Sequence, residues 1–459
     1  MHISKEILNR YNQPGPRYTS YPPANHFTDD FTSTDYLKAV EISNGNDPQH
    51  LSFYVHIPFC RRMCFFCGCN SIRYPSHTLV DLYIDAVVKE IHTVAKAIDK
   101  SRKVAQIHWG GGTPNAISLE QIGKIMSAFD ELFTYHENIE VAIECHPALL
   151  DAAYVEGLKK IGFNRFSLGV QDFDRQVLAA INREPSTLPL EELVPMISEN
   201  GKYGVNLDFI YGLPYQNLEQ FKATMQKAAD LSPDRLVTFS YAHVPWVNKA
   251  MKKLETYGLP SADEKFSMLT ESHQLLLDAG YEAIGMDHYA KKDDELYTAL
   301  QEKKLHRNFQ GYATRETTGQ VYAFGTTGIS QLWDTYAQNE KHTQTYIDKI
   351  TANGTAIVKG YKLSNNEILI REVINEVMCN LRLNWEIMAD RLNTDVKTLK
   401  DLTRFTPEKL QQFETDQLLS MDGQHNLDIH KLGTFFIRNI AMVFDPLLET
   451  SQTTYSKTI

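Results

Sequence analysis

In Leu51-Ser52-Phe53-Tyr54-Val55-His56-Ile57-Pro58-Phe59-Cys60-Arg61-Arg62-Met63-Cys64-Phe65-Phe66-Cys67-Gly68-Cys69, an apolar run passes directly into a loop that carries four cysteines. Residues 51–56 read as a strand, and 79–98 has apolar residues at helical spacing, so the cysteine loop joins strand to helix in a βα unit. The unit then repeats. A second strand over 104–109 runs into Gly110-Gly111-Gly112-Thr113-Pro114 and an amphipathic stretch at 118–133. Strands at 139–144, 165–171, 205–211 and 235–243 alternate with helical patterns at 149–161, 174–181, 190–203 and 218–231. Six strands alternating with helices predict an α/β fold, a parallel sheet curled into a partial (β/α)6 barrel. Glycine and polar residues gather at the strand ends, where parallel α/β folds bind their ligands.

After 243 the repeat fades. A helix at 262–279, a short strand at 281–286 and a loop at 308–317 read as an elaboration closing the sheet. From about 364 helical segments dominate, broken by the turn Asp422-Gly423-Gln424, as in a small winged-helix domain. The expected division is an amino-terminal arm (1–45), a barrel with its elaboration (46–360) and a mostly helical carboxyl-terminal domain (361–459).

Composition narrows the function. The 459 residues are 42% hydrophobic and 22% charged, a folded globular profile. The 57 acidic against 46 basic residues leave a formal charge of −11, which argues against nucleic-acid binding through bulk electrostatics. An anionic substrate held by a local cluster of cations stays compatible with that charge. No apolar run approaches the ~18 residues of a membrane span, so a cytoplasmic protein with no membrane partner is expected. Of the six cysteines, Cys60, Cys64, Cys67 and Cys69 lie together while Cys145 and Cys379 stand alone. That distribution is unlike the spread framework of a secreted disulfide protein.

Cys60, Cys64 and Cys67 are spaced to wrap one compact inorganic centre from a single loop. Zinc and a buried inert cysteine group are the alternatives. Structural zinc sites usually join two ligand pairs, and no second pair follows. Three cysteines on a four-iron cluster leave one iron open, which is useful where another molecule must bind it, so catalysis is favoured over plain electron transfer.

The Cys-x3-Cys-x2-Cys loop after a first strand, with Gly110-Gly111-Gly112-Thr113-Pro114 downstream, resembles the radical S-adenosylmethionine superfamily. The likeness extends to one family within it. Pro16-Arg17-Tyr18-Thr19-Ser20-Tyr21-Pro22, Tyr54 to Cys60, Cys67-Gly68-Cys69-Asn70 and His108 to Pro114 resemble oxygen-independent coproporphyrinogen III oxidases. So do Gly169-Val170-Gln171-Asp172-Phe173, Asp208 to Pro214, Gly285-Met286-Asp287-His288, Asn308 to Tyr312 and Ile437 to Met442, which extends the resemblance over nearly the whole chain. The Gly68-Cys69 step separates this group from the related haem chaperones.

The resemblance implies that Cys60, Cys64 and Cys67 ligate one 4Fe-4S cluster, whose open iron chelates the methionine moiety of S-adenosylmethionine, and that Cys69 is not a ligand. Cleavage of the sulfonium by an electron from the cluster then makes a 5'-deoxyadenosyl radical. It implies that Tyr54, Gly111, Gly112, Thr113, Glu144 and Ile329 surround this cofactor. A second S-adenosylmethionine would be contacted by Phe66, Gly112, Thr113, Gln171, Arg183, Asp208 and Ala242. The chemistry of these side chains suits those roles, since Arg183 can fork onto a carboxylate and Asp208 can accept ribose hydroxyls. Glycines at 110–112 are read as openings through which a ligand approaches the backbone.

The implied activity is oxidative decarboxylation of two propionates of coproporphyrinogen III to vinyl groups, giving protoporphyrinogen IX. It would run anaerobically, with an electron donor for the cluster, an unidentified electron acceptor, and a monomeric enzyme. Arg17 is the first candidate for the substrate's carboxylates, with Gln310 and Tyr312 as further hydrogen-bonding candidates. Two departures from the family pattern bear on that site. Glu144-Cys145-His146-Pro147-Ala148 lacks a usual Asp or Asn and a frequent Arg, and Tyr215 replaces a common basic residue. His146 is expected as a satisfied hydrogen-bonding histidine rather than a replacement cation. A radical enzyme acting on haem, by ring opening or methyl transfer, and a haem-binding chaperone are the alternative readings.

Overall fold

The computed structural model describes residues 4–449 and 455–458. By internal contact the chain forms two compact units: Thr28–Glu264 with Glu316–Tyr361, and Met1–Phe27 with Lys265–Arg315 and Lys362–Ile459. This grouping cuts the chain otherwise than the division at 45/46 and 360/361, because the first part of the arm and residues 265–315 go with the carboxyl-terminal segment.

The first unit carries the α/β repeat. Strands β1 (Leu51–Ile57), β2 (Val104–Gly111), β3 (Tyr135–Cys145), β4 (Arg165–Gln171), β5 (Gly204–Tyr211) and β6 (Arg235–Ser240) pair in parallel, in chain order. The helices between them start where the sequence caps them. The Ser76 and Asp151 side chains accept from the amides of Leu79 and Tyr154, and Ser118 and Gln121 form a reciprocal capping box. Helix Leu190–Ser198 stops five residues short of the expected 203, because Glu199 and Asn200 both turn to positive φ. The sheet also continues beyond β1 into β7 (Val321–Phe324), parallel to it, and then antiparallel β8 (Ile329–Gln331) and β9 (Thr335–Asn339).

Strand alternation gives this sheet two unlike faces. Phe53, Ile107, Val141, Phe166 and Leu207 are buried on the face covered by helices, where Phe53 stacks on Phe129 at 4.9 Å. Each such side chain contributes roughly 1.5–3 kcal/mol by leaving water. The opposite face is polar from one strand to the next. Ser52 donates to Gln106 (2.9 Å), Gln106 to Glu140 (3.0 Å), and Arg165 to both Glu140 (2.6 Å) and Asn206 (3.2 Å). Arg235 on β6 brings Nη1 to 3.9 Å from the same Glu140 on β3. Three strand positions separate β3 from β6, about 14 Å in a flat sheet, so this approach reports a sheet curled around its polar face.

The second unit is mostly helical, with Asn365–Asn380, Trp385–Arg391 and Val396–Leu402 beside a small antiparallel sheet of Arg382–Leu383, Leu427–Ile429 and Leu419–Met421. Where a loop was expected over 308–317, the strands Leu305–Asn308 and Gly311–Thr314 form an antiparallel hairpin. Arg438 is buried, and its guanidinium donates to the carbonyls of Gly15, Pro16, Lys457 and Thr458. Among the described residues no helix is long and apolar enough to cross a membrane.

Candidate active site

The polar face of the sheet becomes chemically dense at the carboxyl ends of its strands. β1 delivers Tyr54 and His56 to that face, and β2 delivers His108 at the register position beside Tyr54. The rings of Tyr54 and His108 stack with centroids 6.1 Å apart, and His108 Nε2 lies 3.2 Å from Glu144 Oε1 at the end of β3. His56 Nε2 is 3.0 Å from the carbonyl of Asn70. A carbonyl only accepts, so Nε2 carries the proton and Nδ1 accepts from the Tyr54 hydroxyl at 3.2 Å. Burial pushes the His56 imidazolium down, which keeps the ring neutral. Burial, aided by the Glu144 charge, pushes the Tyr54 phenol up, so it stays a donor.

The glycine triplet makes room within the protein itself. A Cβ on Gly110 would stand 2.7 Å from the Glu144 carboxylate, and one on Gly111, where φ is +112°, 2.6 Å from the His56 ring. A Cβ on Gly112 would meet the Pro58 backbone at 2.8 Å, while its amide donates to the Ile57 carbonyl (2.8 Å). The missing side chains make room first for the protein's own Glu144, His56 and Pro58.

The cysteine loop leaves β1, and a hydrogen-bond donor addresses each of the three sulfurs. The Thr113 hydroxyl is 3.3 Å from Cys60 Sγ, Arg183 Nη1 is 3.5 Å from Cys64 Sγ, and the Cys69 amide is 3.4 Å from Cys67 Sγ. Arg183 also donates to the Gly169 carbonyl, and a Cβ on Gly169 would stand within 3 Å of both Gln171 and Arg183. Buried Gln171 Oε1 and Arg183 Nε have no hydrogen-bond partner. These two polar atoms are left for a ligand to satisfy. Asp208 accepts from Ser167 (2.9 Å). Phe66 packs against the apolar cluster of Val177, Leu178, Ile181 and Leu254. Ala242, just past β6, and Ile329, opening β8, are both half-buried.

Other site residues carried no sequence signal. Asn182 donates to the Met63 carbonyl and Asn248 to the Cys67 carbonyl, both at 2.8 Å, so two distant asparagines brace the cysteine loop. Asn115 exchanges hydrogen bonds with the His146 backbone at 2.9 and 3.1 Å, fixing the end of β3. The His146 ring accepts from the Ala148 amide (3.2 Å), and burial, with Arg183 nearby, pushes its pKa down to about 3. It is therefore neutral and supplies no cation. Tyr215 is partly exposed and packs on Tyr257.

Arg17, Gln310 and Tyr312 belong to the second unit. Arg17 is exposed on the arm, and Gln310 Nε2 is buried without a partner. Tyr312 is the further hydrogen-bonding candidate at a substrate mouth. It is buried, its hydroxyl donates to the Met378 carbonyl (3.3 Å), and it fills the space left by Gly285.

Residues 54–228 match the radical SAM superfamily. The chain is 40% identical to the oxygen-independent coproporphyrinogen III oxidase of Synechocystis, over 100% of its own length and 98% of that protein. It is 38% identical to the enzyme of the same name from Escherichia coli K12, over 96% and 95%. The solved structure of coproporphyrinogen III oxidase from Escherichia coli, described as a radical SAM enzyme, superposes with a TM-score of 0.87 at 36% identity, covering 97% of this chain and 99% of that one. This chain belongs to the oxygen-independent coproporphyrinogen III oxidase family.

A radical SAM member of this family uses a 4Fe-4S cluster and S-adenosylmethionine, and the residues present fit both. Among the described residues no three His, Cys, Asp or Glu side chains close on one point as a single metal ion requires. The donor set is instead three thiols along one loop, each already met by a hydrogen bond of the kind that tunes cluster sulfurs. The hydrogen bond from Cys69 lowers the Cys67 thiol to about 7 against the effect of burial. Burial raises the thiols of Cys60 and Cys64, a cost that bound iron removes by supplying positive charge.

Proposed function

We propose that this chain decarboxylates two propionate side chains of coproporphyrinogen III to vinyl groups without oxygen, giving protoporphyrinogen IX. The observation that carries this reading is kinship along the whole chain, from the arm through the cysteine loop to the carboxyl-terminal unit. When bound, the cluster and S-adenosylmethionine supply a carbon radical strong enough to take hydrogen from an unactivated propionate β-carbon, which no side-chain base can deprotonate. Carbon dioxide then leaves as one electron passes to an acceptor, so each vinyl group costs one hydrogen atom, one carboxylate and one electron.

The chain's own residues hold and orient. Cys60, Cys64 and Cys67 hold the cluster. Tyr54, Gly111, Gly112, Thr113, Glu144 and Ile329 line the first S-adenosylmethionine. Here the Tyr54 hydroxyl, whose proton is engaged on His56 Nδ1, and Glu144, held by His108, both present acceptors. Phe66, Gly112, Thr113, Gln171, Arg183, Asp208 and Ala242 line a second molecule, for which the unpartnered Gln171 Oε1 and Arg183 Nε are the supporting observation. Arg17 meets substrate carboxylates, with Gln310 and Tyr312 as hydrogen-bonding residues for the substrate. The enzyme is a cytoplasmic monomer that takes electrons from a separate donor and passes them to a separate acceptor.

The test is anaerobic reconstitution followed by mass spectrometry of the tetrapyrrole products, with Cys64→Ser as the cluster-free control. Vinyl products and carbon dioxide are expected from wild type alone. Wild-type protein with an intact four-iron signal, bound S-adenosylmethionine and an added electron acceptor that forms neither product overturns the assignment.

A further inference from the structure

The hairpin of Leu305–Asn308 and Gly311–Thr314 holds a buried cation whose donors are not spent. Arg307 is 6% exposed, and among the described residues neither its Nε nor its Nη1 has a hydrogen-bond partner. Its guanidinium lies 4.5 Å over the ring of Tyr312, the residue opposite it across the hairpin. Asp287 Oδ1 stands 4.0 Å from Nη1, too far for a hydrogen bond, and the same oxygen is 2.7 Å from His288 Nδ1. The turn beyond is short of acceptors too, since Asn308 Nδ2 and Gln310 Nε2 are buried without partners. Buried donors are nearly always satisfied, and a guanidinium is the costliest of them to leave unmatched.

Negative charge is scarce around it. Against the cost of burial, His288 and then Arg307 and Arg17 hold the Asp287 carboxyl at about 2. Burial pushes Arg438 down to about 9, and the charges of Arg17 and Arg307 add to the effect. Burial likewise lowers Lys265 to about 8, with Arg17 again adding. Asp287 thus answers several cations of one neighbourhood, and all of these residues belong to the second unit. A carboxylate brought to Arg307 would relieve that repulsion and take up its unspent donors.

Coproporphyrinogen III brings four propionates, of which the reaction consumes two. A guanidinium bonded to a carboxylate stabilises the anion and so opposes its loss as carbon dioxide, which makes such a bond useful only on a carboxylate that stays. We propose that Arg307 is a substrate-binding residue that holds a propionate the reaction leaves intact. The proposal rests on coproporphyrinogen III being the substrate, and it adds to Arg17 a second, buried cation that sets the register of the tetrapyrrole.

The test measures binding to reconstituted holoenzyme by fluorescence titration, with no turnover. The ligands are coproporphyrin III, protoporphyrin IX and the fully methylated ester of each, all in the same detergent. Wild type is expected to prefer both acids to their esters. Arg307→Met is expected to reduce that preference about tenfold or more for both tetrapyrroles, while affinity for S-adenosylmethionine stays at the wild-type value. Arg307→Lys, which keeps the charge without the planar fork, is expected to retain part of the preference and serves if the methionine variant does not fold. A loosened scaffold weakens acid and ester alike, so a preference within twofold of wild type in the variants overturns the proposal. Wild type that binds the acids no better than the esters overturns it too. So does a loss confined to coproporphyrin, which would place Arg307 on a propionate that reacts, or a loss of S-adenosylmethionine affinity with the preference intact. Each of these outcomes is separate from the absence of vinyl products with wild type, which tests the decarboxylase reading.

Discussion

Replacing Glu140 by glutamine removes the one carboxylate around which the polar face of the sheet is arranged. Burial alone pushes this carboxyl up, but the guanidinium of Arg165, then that of Arg235 and the Gln106 amide, reverse the effect and hold it at about 2 against an ordinary 4.5. At ~1.36 kcal/mol per pH unit that difference contributes on the order of 3 kcal/mol to folding. Because the folded value is the lower one, the contribution is fully present above pH 4.5 and is lost as pH falls from 4.5 towards 2. Glu140→Gln is therefore expected to destabilise β3 and β4 by about 3 kcal/mol at pH 7, with the buried Arg165 charge left uncompensated. It should also flatten the acid dependence of their stability. Amide hydrogen exchange of the strand residues gives the opening free energy locally, which suits a chain of two units better than one global transition. In a double-mutant cycle with Arg165→Met, a coupling of roughly 2 kcal/mol or more is expected. A coupling below about 0.5 kcal/mol, with an unchanged acid profile, refutes the argument that this ion pair organises the curled face.

Three further outcomes follow from the site and the arm. Gly111→Ala forces a Cβ into the His56 ring at a positive φ, and is expected to cost about 2 kcal/mol or more and to lower the iron bound per chain after reconstitution, read by thermal melts and iron assay. Arg183→Lys removes the planar fork that reaches Gly169 and Cys64. The KM for S-adenosylmethionine should rise about tenfold and the cluster potential should become more negative in an electron-paramagnetic-resonance titration. Arg438→Met leaves four carbonyls without their donor and is expected to expose residues 11–18 to hydrogen exchange and limited proteolysis, with a local cost of about 3 kcal/mol or more. Unchanged protection there refutes its role as the arm's anchor.

The six-strand repeat and the cysteine loop were legible because strand periodicity and ligand spacing are local properties of sequence. The pairing of Thr113 and Arg183 with sulfurs was not, although both were singled out for the cofactor. Asn182 and Asn248 were missed for a plain reason: their partners are backbone carbonyls, which any residue supplies, more than a hundred positions away. Val321-Tyr322-Ala323-Phe324 is too short and too uniformly buried to show alternation, so its pairing with β1 left no periodic trace. The glycine triplet was visible but ambiguous, because a missing Cβ looks the same whether a ligand or a neighbouring histidine takes the space. The bond from the Tyr312 hydroxyl to the Met378 carbonyl, 66 positions away, likewise left no local trace.

Arg438 also imposes an order of events during synthesis. Its bond to the Pro16 carbonyl spans 422 residues, which a ribosome adding 5–20 residues per second covers in on the order of half a minute. Through that interval the Pro16-Arg17-Tyr18 segment has been made while its anchor has not, and residues 457 and 458, which share the same guanidinium, come later still. A nascent chain can thus complete its cysteine loop well before its arm is seated. A chain interrupted between Asp416 and Arg438 keeps the contacts of Arg10 and Tyr11 with Asp416 but leaves the Gly15 and Pro16 carbonyls without their donor.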